Sequence, residues 1–487
     1  MDVNRWMAAA CLAVVLSAFM VGCRGQQHGD GFAELSNDVA KRTGRTLQWN
    51  RDAQAAASID QRVSELVSQP LTVGSAVQVA LINNRALQAT IEELGVAKAD
   101  LVEAGMLQNP QLGVSARFPD TSGTTNLEFT VTQSFLELFV VGARKQLAAA
   151  QFDHARLRVT RAVLDLAWET ETAFFAADAA QQLLSLKQTI AEAAALKRDL
   201  ATKQYDAGNI SELDAARQRA AADQSQLDVT LARAEVQTSR ERLNRLMGVA
   251  GAGTSWALGT SPQSVAPSEP DVEAMESLAL EHRIELAIAR QEVAVVDRTL
   301  DLAHKGFVSD LDLGVSAEQE PEGFWVTGPV LQIELPIFDH RGVRIERIES
   351  QQRQARHMLA ALETDARADV REACAQLAAA RATLEYLRDD VVPLRQRISR
   401  LSQEQYNAML MGVYELLSAR EDEIDAQSAL ITATRDYWIA RTSLKQAVGG
   451  SLPAGTSADV PKQNPTPAQP LESEPEADHN HHDHGGV

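Results

Sequence analysis

The chain has 487 residues, of which 5% are aromatic and 23% are charged, and its formal net charge at pH 7 is -20. This acidic balance argues against proteins that hold nucleic acid on a basic surface, because no excess of Lys and Arg can replace phosphate counterions. Cations are the more favourable electrostatic partners. The Ala, Leu, Arg, Glu and Gln content of the middle of the chain is typical of long helices.

The N-terminus resembles a lipoprotein signal peptide, predicted at residues 1–22. Arg5 precedes an almost uncharged apolar stretch that is too short to span a bilayer as a mature helix. The sequence Met-Val-Gly-Cys that ends at Cys23 is similar to a bacterial lipobox, so Cys23 is the predicted lipidation site. An ordinary secretory signal with an incidental cysteine is the alternative. Residues 23–70 are expected to form an N-terminal lipidated segment.

An internal duplication runs along most of the chain. The sequence LGVSA at 112–116 recurs at 313–317, and the sequence QYDA at 204–207 is similar to QYNA at 405–408, both displaced by 201 residues. A nearly constant displacement indicates duplication, so both halves are expected to share one fold. The predicted segments are a first repeat at 71–250, a linker at 251–270, a second repeat at 271–450 and a tail at 451–487.

Each repeat is predicted to contain a helix, two short strands, a very long helix, a tight turn and a returning helix. A helix of some 60 residues would be on the order of 90 Å long, which suits helical hairpins packed side by side better than a globular domain. Pro393 predicts a kink or restart in the second long helix. The predicted helices lie at 72–107, 142–205 and 211–247, and at 272–305, 342–408 and 413–448.

Alternating apolar and polar residues predict the strands. The runs at 112–118, 127–132 and 310–318 alternate cleanly, whereas 325–335 is less regular and contains Pro329. Such strands match a transmembrane barrel with lipid outside and water within; soluble hairpins are the alternative. Four strands cannot close a barrel, and all backbone groups that face lipid must be paired, so a trimer with twelve strands is predicted.

The duplicated pattern resembles the TolC outer-membrane efflux family over roughly residues 70–450. The resemblance is carried by the two sets of elements, by Gln-Tyr-x-Ala before each turn, and by Gly328-Pro329 followed by Leu-Pro-Ile-Phe at 335–338. It implies a mainly α fold with a membrane β-barrel, in which two tandem repeats per chain and three chains form a 12-stranded β-barrel and a periplasmic α-helical barrel.

The family resemblance also implies a function and a location. The chain would be a lipid-anchored channel in the outer membrane, extending into the periplasm as a passive conduit to the exterior. Its partners would be two further copies, outer-membrane lipid, a periplasmic adaptor and an inner-membrane transporter of the resistance-nodulation-division type. The lipobox, the acidic balance and the second turn are most similar to the heavy-metal branch, which exports copper and silver or cobalt, zinc and cadmium.

The resemblance assigns roles to the two turns between long helices. Gly208 and Asn209 in the first turn, and Gly412 and Val413 in the second, are the predicted adaptor contacts; turns without a partner are the alternative. Glu415 is a candidate aperture acid, because three such carboxylates around a constriction would attract cations. A solvated helix acid is the alternative, and a serine, not an acid, stands three residues later.

The tail is rich in Pro and acidic residues and is expected to be disordered. It ends in a cluster of imidazoles and carboxylates that suits copper, zinc or nickel; a solvated terminus is the alternative. The predicted metal ligands are His479, His481, His482 and His484.

No nucleophile elbow, phosphate loop or zinc signature occurs in the sequence, so neither an enzyme nor a cofactor is expected. Three other functions remain open. The chain could be a periplasmic adaptor lipoprotein with helical hairpins, an exit duct for drugs or secreted proteins, or a coiled-coil rod. An adaptor is disfavoured because hairpin and strands occur twice, and a rod would leave the strands without purpose.

Overall fold

The computed structural model describes residues 31–118, 125–135, 137–259, 271–305, 311–320, 322–334, 337–338 and 341–452. Cys23 and the four histidines predicted as metal ligands lie outside these ranges. The elements in chain order are α1 (Phe32–Thr43), α2 (Ala53–Ser68), α3 (Val73–Asn83), α4 (Arg85–Ala104), β1 (Gln111–Arg117), β2 (Asn126–Ser134), α5 (Glu137–Asp206), α6 (Glu212–Met247), α7 (Val272–His282), α8 (Ile284–Lys305), β3 (Leu311–Gln319), β4 (Trp325–Ile333), α9 (Gly342–Tyr386), a π-helical turn (Leu387–Val391), α10 (Val392–Asn407) and α11 (Val413–Val448).

The predicted tandem architecture is confirmed: the fold is mainly helical, with one small antiparallel sheet, and the two repeats have matching elements. The returning helices α6 and α11 are both 36 residues long and lie 201 positions apart. Each ends at a glycine in the left-handed conformation, Gly248 (φ 67°) and Gly449 (φ 80°). At 70 residues α5 is about 105 Å long. Helices in the described ranges do not combine the length and apolar character needed to cross a membrane.

The first predicted helix of each repeat is in fact two helices. Asn84 between α3 and α4 is extended (φ -65°, ψ 114°), and its side chain accepts a hydrogen bond from the Leu87 amide. Arg283 is extended in the same way between α7 and α8. The capping side chain of Asn84 takes a hydrogen bond that would otherwise continue the helix, and the helix breaks there. The apolar residues on either side of the break keep their helical spacing. Periodicity alone therefore did not reveal these breaks.

Pro393 is the second residue of α10 and lies two residues after the end of the π-helical turn, as the predicted kink or restart requires. Proline lacks a backbone N–H and its ring clashes with the carbonyl four residues earlier, so a wider turn relieves the conflict.

The core lies where the two repeats meet. Phe175 of α5 stacks on Trp438 of α11 at a centroid distance of 5.5 Å, and the fully buried Phe174 and Tyr437 pack beside this pair. A second cluster joins α1 to α3, α4 and α5 through Leu35 and other fully buried side chains. On α2, Ile59 is buried and Leu66 packs against the first cluster. The helices α1 and α2, which the sequence did not predict, thus belong to the folded body.

The four strands form one antiparallel sheet in the order β1-β2-β3-β4. The contact between β2 and β3 joins the two repeats, with Phe129 opposite Ala317. Pro329 lies in β4 opposite Val315. Proline cannot donate a hydrogen bond, and it is tolerated here because β4 is at the edge of the sheet formed by the described strands.

Candidate functional site

One face of the sheet is apolar and exposed. The register places Val114 opposite Phe129, and Val131 opposite Val315, so apolar side chains from neighbouring strands form continuous rows. Rows of this kind are normally covered by protein or lipid, because contiguous apolar patches are rarely left in water. The large apolar side chains that share this face and are 38% to 68% exposed are Leu112, Val114, Phe129, Val131, Leu313, Val315, Trp325, Leu331 and Ile333.

The opposite face of the sheet carries an ion-pair cluster. Arg117 donates from Nη2 to Glu128 Oε2 at 2.9 Å and from Nη1 to Glu318 Oε1 at 3.3 Å. Asn126 Nδ2 donates to the same Glu318 oxygen at 2.7 Å. Sequence reasoning did not identify this cluster. The sequence does contain an indication of it, because Arg117 and Glu318 are equivalent positions of the two repeats and carry opposite charges.

The first turn, residues 207–211, connects α5 to α6. Gly208 is left-handed (φ 75°), and the Asn209 amide donates to the Gln204 carbonyl at 2.8 Å, which satisfies a carbonyl at the end of α5. Ser211 caps α6 by accepting from the Asp214 amide. Both predicted contact residues, Gly208 and Asn209, are exposed.

The second turn, residues 408–412, has the same geometry with different residues. Met409 occupies the left-handed position (φ 59°) that Gly208 occupies in the first turn, and the Leu410 amide donates to the Gln405 carbonyl at 2.9 Å. The side chains of Met409 and Leu410 are 93% and 79% exposed. A non-glycine residue in this conformation is strained, and the exposed side chain gains no compensating contact within the described chain. The sequence places Met409 in the second turn, 201 positions after Gly208, but Met409 was not among the predicted contact residues.

The predicted site residues of the second turn lie at the start of α11. Gly412 is the N-cap, equivalent to Ser211, and Val413 is half-buried. Glu415 is exposed in the first turn of α11, where the helix dipole favours a negative charge. Its equivalent, Asp214, is hydrogen-bonded to Ser211 and paired with Arg217, whereas Glu415 forms no ion pair with any described residue. The carboxylate of Glu415 is thus available to solvent.

Two polar contacts join the repeats near the turns. Lys197 of α5, which is 8% exposed, pairs with Glu421 of α11 at 2.6 Å between Nζ and Oε2. One helical heptad closer to the turns, the Tyr414 hydroxyl donates to Gln204 Oε1 at 2.8 Å. Neither contact was predicted, because the residues of each pair are more than 200 positions apart.

Shifted pKa values mark two positions away from the turns, the half-buried Asp165 and the buried Cys374. Burial, with the nearby Glu285 and Glu169, raises the pKa of Asp165 above its ordinary value. Burial also raises the pKa of the Cys374 thiol. A raised thiol pKa makes a cysteine unreactive, which fits a packing role. Within the part of the chain that the structure describes, no group of three or more His, Cys, Asp and Glu side chains could hold a metal ion.

Comparison with known proteins places this geometry in a family. The family model of the outer membrane efflux protein matches residues 76–249 and 276–450. CzcC, the cobalt-zinc-cadmium resistance protein of Cupriavidus metallidurans CH34, is 25% identical over 374 residues, which cover 76% of this chain and 86% of CzcC.

Solved structures share the fold. Crystal structures of CusC match with a TM-score of 0.61 at 17% identity and cover 78% of this chain and 92% of CusC. The CmeC outer membrane channel of Campylobacter jejuni matches with a TM-score of 0.62 at 14% identity and covers 83% of this chain and 90% of CmeC. With two matched repeats that span most of its length, the chain belongs to the outer membrane efflux protein family.

Proposed function

We propose that the chain is the lipid-anchored outer-membrane channel of a tripartite efflux system and a passive conduit for heavy-metal cations. The observation that carries the proposal is the four-stranded sheet, with one exposed apolar face and one charged face. A sheet of this kind suits a barrel wall with the apolar face toward lipid and the charged face toward water.

The edges of this sheet support the proposed trimer. Among the described strands, β1 and β4 each pair with one neighbour, so each has an open edge. Every backbone donor and acceptor at membrane depth needs a partner, and three copies joined edge to edge would provide one in a closed barrel of twelve strands. The long helices α5, α9 and α10 would then continue the pore through the periplasm.

Heavy-metal cations are the proposed substrate class, either cobalt, zinc and cadmium or copper and silver. The similarity to a cobalt-zinc-cadmium resistance protein supports this proposal. The net charge of -20 favours cations over anions along the conduit. Three exposed Glu415 carboxylates at the narrow end of a trimer would act in the same direction. The histidines of the tail would collect metal outside the pore.

The two turns are the proposed docking site of a periplasmic adaptor, which connects the channel to the inner-membrane transporter that supplies energy. Gly208 and Asn209, and Gly412 and Val413, lie at the ends of the hairpins opposite the sheet. The exposed Met409 side chain adds an apolar contact to this surface, which suits an interface centre.

The test combines electrophysiology with metal sensitivity. The purified full chain should conduct in planar bilayers with a preference for cations, and Glu415→Gln should lower that preference. Asp214→Asn, which alters the paired acid of the first turn, is the matched control and should change it less. Bilayers that remain electrically silent would overturn the channel, and unchanged selectivity of Glu415→Gln would remove the aperture role.

The substrate is tested in cells. Deletion of the gene from a host without a second duct should increase sensitivity to at least one of cobalt, zinc, cadmium, copper and silver, and the full chain should restore tolerance. A deletion strain that tolerates all five metals but becomes sensitive to drugs would overturn the metal assignment in favour of a drug duct.

A further inference from the structure

A polar seam joins the two hairpins of one chain. It consists of Lys197 and Gln204 on α5 facing Glu421 and Tyr414 on α11, with distances of 2.6 Å for the ion pair and 2.8 Å for the hydrogen bond. The paired positions on each helix are seven residues apart, which is the spacing of two helices that pack along a common line. We call this contact the within-chain seam.

Duplication gives every residue of this seam an equivalent elsewhere in the chain. The displacement of 201 carries Gln204 and Lys197 of α5 onto Gln405 and Ile398 of α10. The same displacement relates α6 to α11, because the N-cap and the C-cap of α11 each lie 201 positions after those of α6. Leu213 and Ala220 are therefore the equivalents of Tyr414 and Glu421. Among the described residues, α6 makes its main contacts with α5 and α3, and α10 makes its main contacts with α11.

Both equivalent surfaces are exposed and largely apolar, and Gln405 is the polar member. On α10, Leu394, Ile398 and Leu401 are 57%, 37% and 45% exposed and follow steps of four and three residues. On α6, Leu213 and Leu227 are 60% and 51% exposed, with the exposed Ala220 midway between them. These spacings produce one apolar stripe on each helix, as in the seam of a coiled coil.

We propose that α6 of one copy packs against α10 of a second copy in the register of the within-chain seam, with Ala220 beside Ile398 and Leu213 beside Gln405. This between-chain seam rests on the proposed trimer and adds its register and its chemistry. It contains apolar side chains where the within-chain seam contains an ion pair. Contacts between copies at the turn end therefore depend on apolar burial, whereas the two hairpins of one chain are also joined by charge.

The register is tested by cross-linking the full chain in membranes, in a Cys374→Ala background. Ala220→Cys combined with Ile398→Cys should yield covalent dimers and trimers on denaturing gels after treatment with a short bismaleimide. The second pair, Leu213→Cys with Gln405→Cys, should do the same and guards against a variant that fails to assemble. Lys197→Cys with Glu421→Cys is the matched control and should cross-link within one chain, leaving the mass of a monomer.

The decisive comparison uses a shifted register. Leu227→Cys with Ile398→Cys shifts one thiol by seven residues from the proposed register. Variants with only one introduced cysteine show how much product comes from Cys23. Both controls should give at least tenfold less covalent dimer than the Ala220→Cys, Ile398→Cys pair. The register would be overturned, and the channel left intact, by a protein that still forms trimers and conducts but gives either of two results. In one, the shifted pair cross-links best; in the other, neither proposed pair cross-links. Chains that neither associate nor conduct would overturn the proposed function itself.

Discussion

The two repeats build the same turn and the same junction with different residues. We call the contact between the break in the first helix pair of a repeat and the end of its returning helix the junction. In the first repeat, Asn83 Nδ2 donates to the carbonyls of Met247 and Gly248 at 3.0 and 2.8 Å, and these bonds fix the end of α6 against the α3–α4 break. In the second repeat the corresponding carbonyl of Gly449 accepts from Arg42 Nη1 at 3.0 Å, and Arg42 belongs to α1, outside both repeats.

This difference shows how a duplicated fold becomes asymmetric. The carbonyls at a helix end need partners in either repeat, but the partner can come from any segment that reaches them. Arg42 also donates to the His282 carbonyl at 2.6 Å, and therefore joins both sides of the second junction. The N-terminal segment thus completes the second repeat, whereas the first repeat supplies its own donor, Asn83.

The largest effect is expected at the junction glycines. Gly449→Ala would place a Cβ 2.6 Å from Arg283 Cα in a left-handed conformation, and should lower the free energy of unfolding by about 3 kcal/mol. Gly208→Ala is the matched control, since its φ is also positive but the added Cβ meets no atom within 4 Å apart from its chain neighbours, and should cost about 1 kcal/mol. Guanidinium unfolding followed by helical circular dichroism measures both, and equal losses would contradict the close packing of the junction.

The next effect tests the N-terminal contribution. Arg42→Ala removes charge-assisted donors to two carbonyls and should lower the free energy of unfolding by about 2 kcal/mol. Hydrogen exchange should accelerate at the C-terminal turn of α11 and not at that of α6, while Asn83→Ala should show the reverse. If Arg42→Ala affected both turns alike, the separate support of the two junctions would be wrong.

A smaller effect is expected for the ion pair of the within-chain seam. Glu421→Gln leaves the buried Lys197 without a carboxylate and should cost about 1 to 2 kcal/mol, reduced because Glu421 is 31% exposed. Lys197→Ile with Glu421→Ala introduces the residues of the equivalent positions Ile398 and Ala220, and should recover most of this loss. A double variant less stable than Glu421→Gln, in the same unfolding assay, would show that the two seams are not interchangeable.

The smallest change in stability is expected at the turns. Met409→Gly relieves the left-handed strain but adds freedom to the unfolded chain, so the free energy of unfolding should change by less than about 1 kcal/mol. Binding of the adaptor, measured by surface plasmon resonance, should nevertheless weaken by about tenfold, because an exposed apolar anchor is lost. Unchanged affinity would remove Met409 from the docking surface.

Much of the architecture could be predicted because it depends on patterns of residues that are close together in the chain. Apolar periodicity located α5, α6, α9, α10 and α11, and Pro393 indicated the interruption before α10. Alternation of apolar and polar residues located all four strands. The helix breaks at Asn84 and Arg283 were not predicted, since a single extended residue leaves the apolar periodicity intact on both sides.

The candidate site was predictable in position more than in chemistry. Gly208 and Gly412 marked the two turns, but the strain at Met409 required a backbone angle that no pattern of apolar residues reports. The Arg117 cluster required the strand register, because a shift of one residue would place its members on opposite faces.

The sequence by itself determined the duplication, the long helical hairpins and the alternating strands, because each depends on residues that are near in the chain or repeat at a fixed displacement. Only the tertiary structure decided that β2 pairs with β3 across the repeats, that Arg42 holds the end of α11, and that Lys197 meets Glu421. These contacts join residues some 180 to more than 400 positions apart, and the packing of whole helices, rather than any local preference, brings them together.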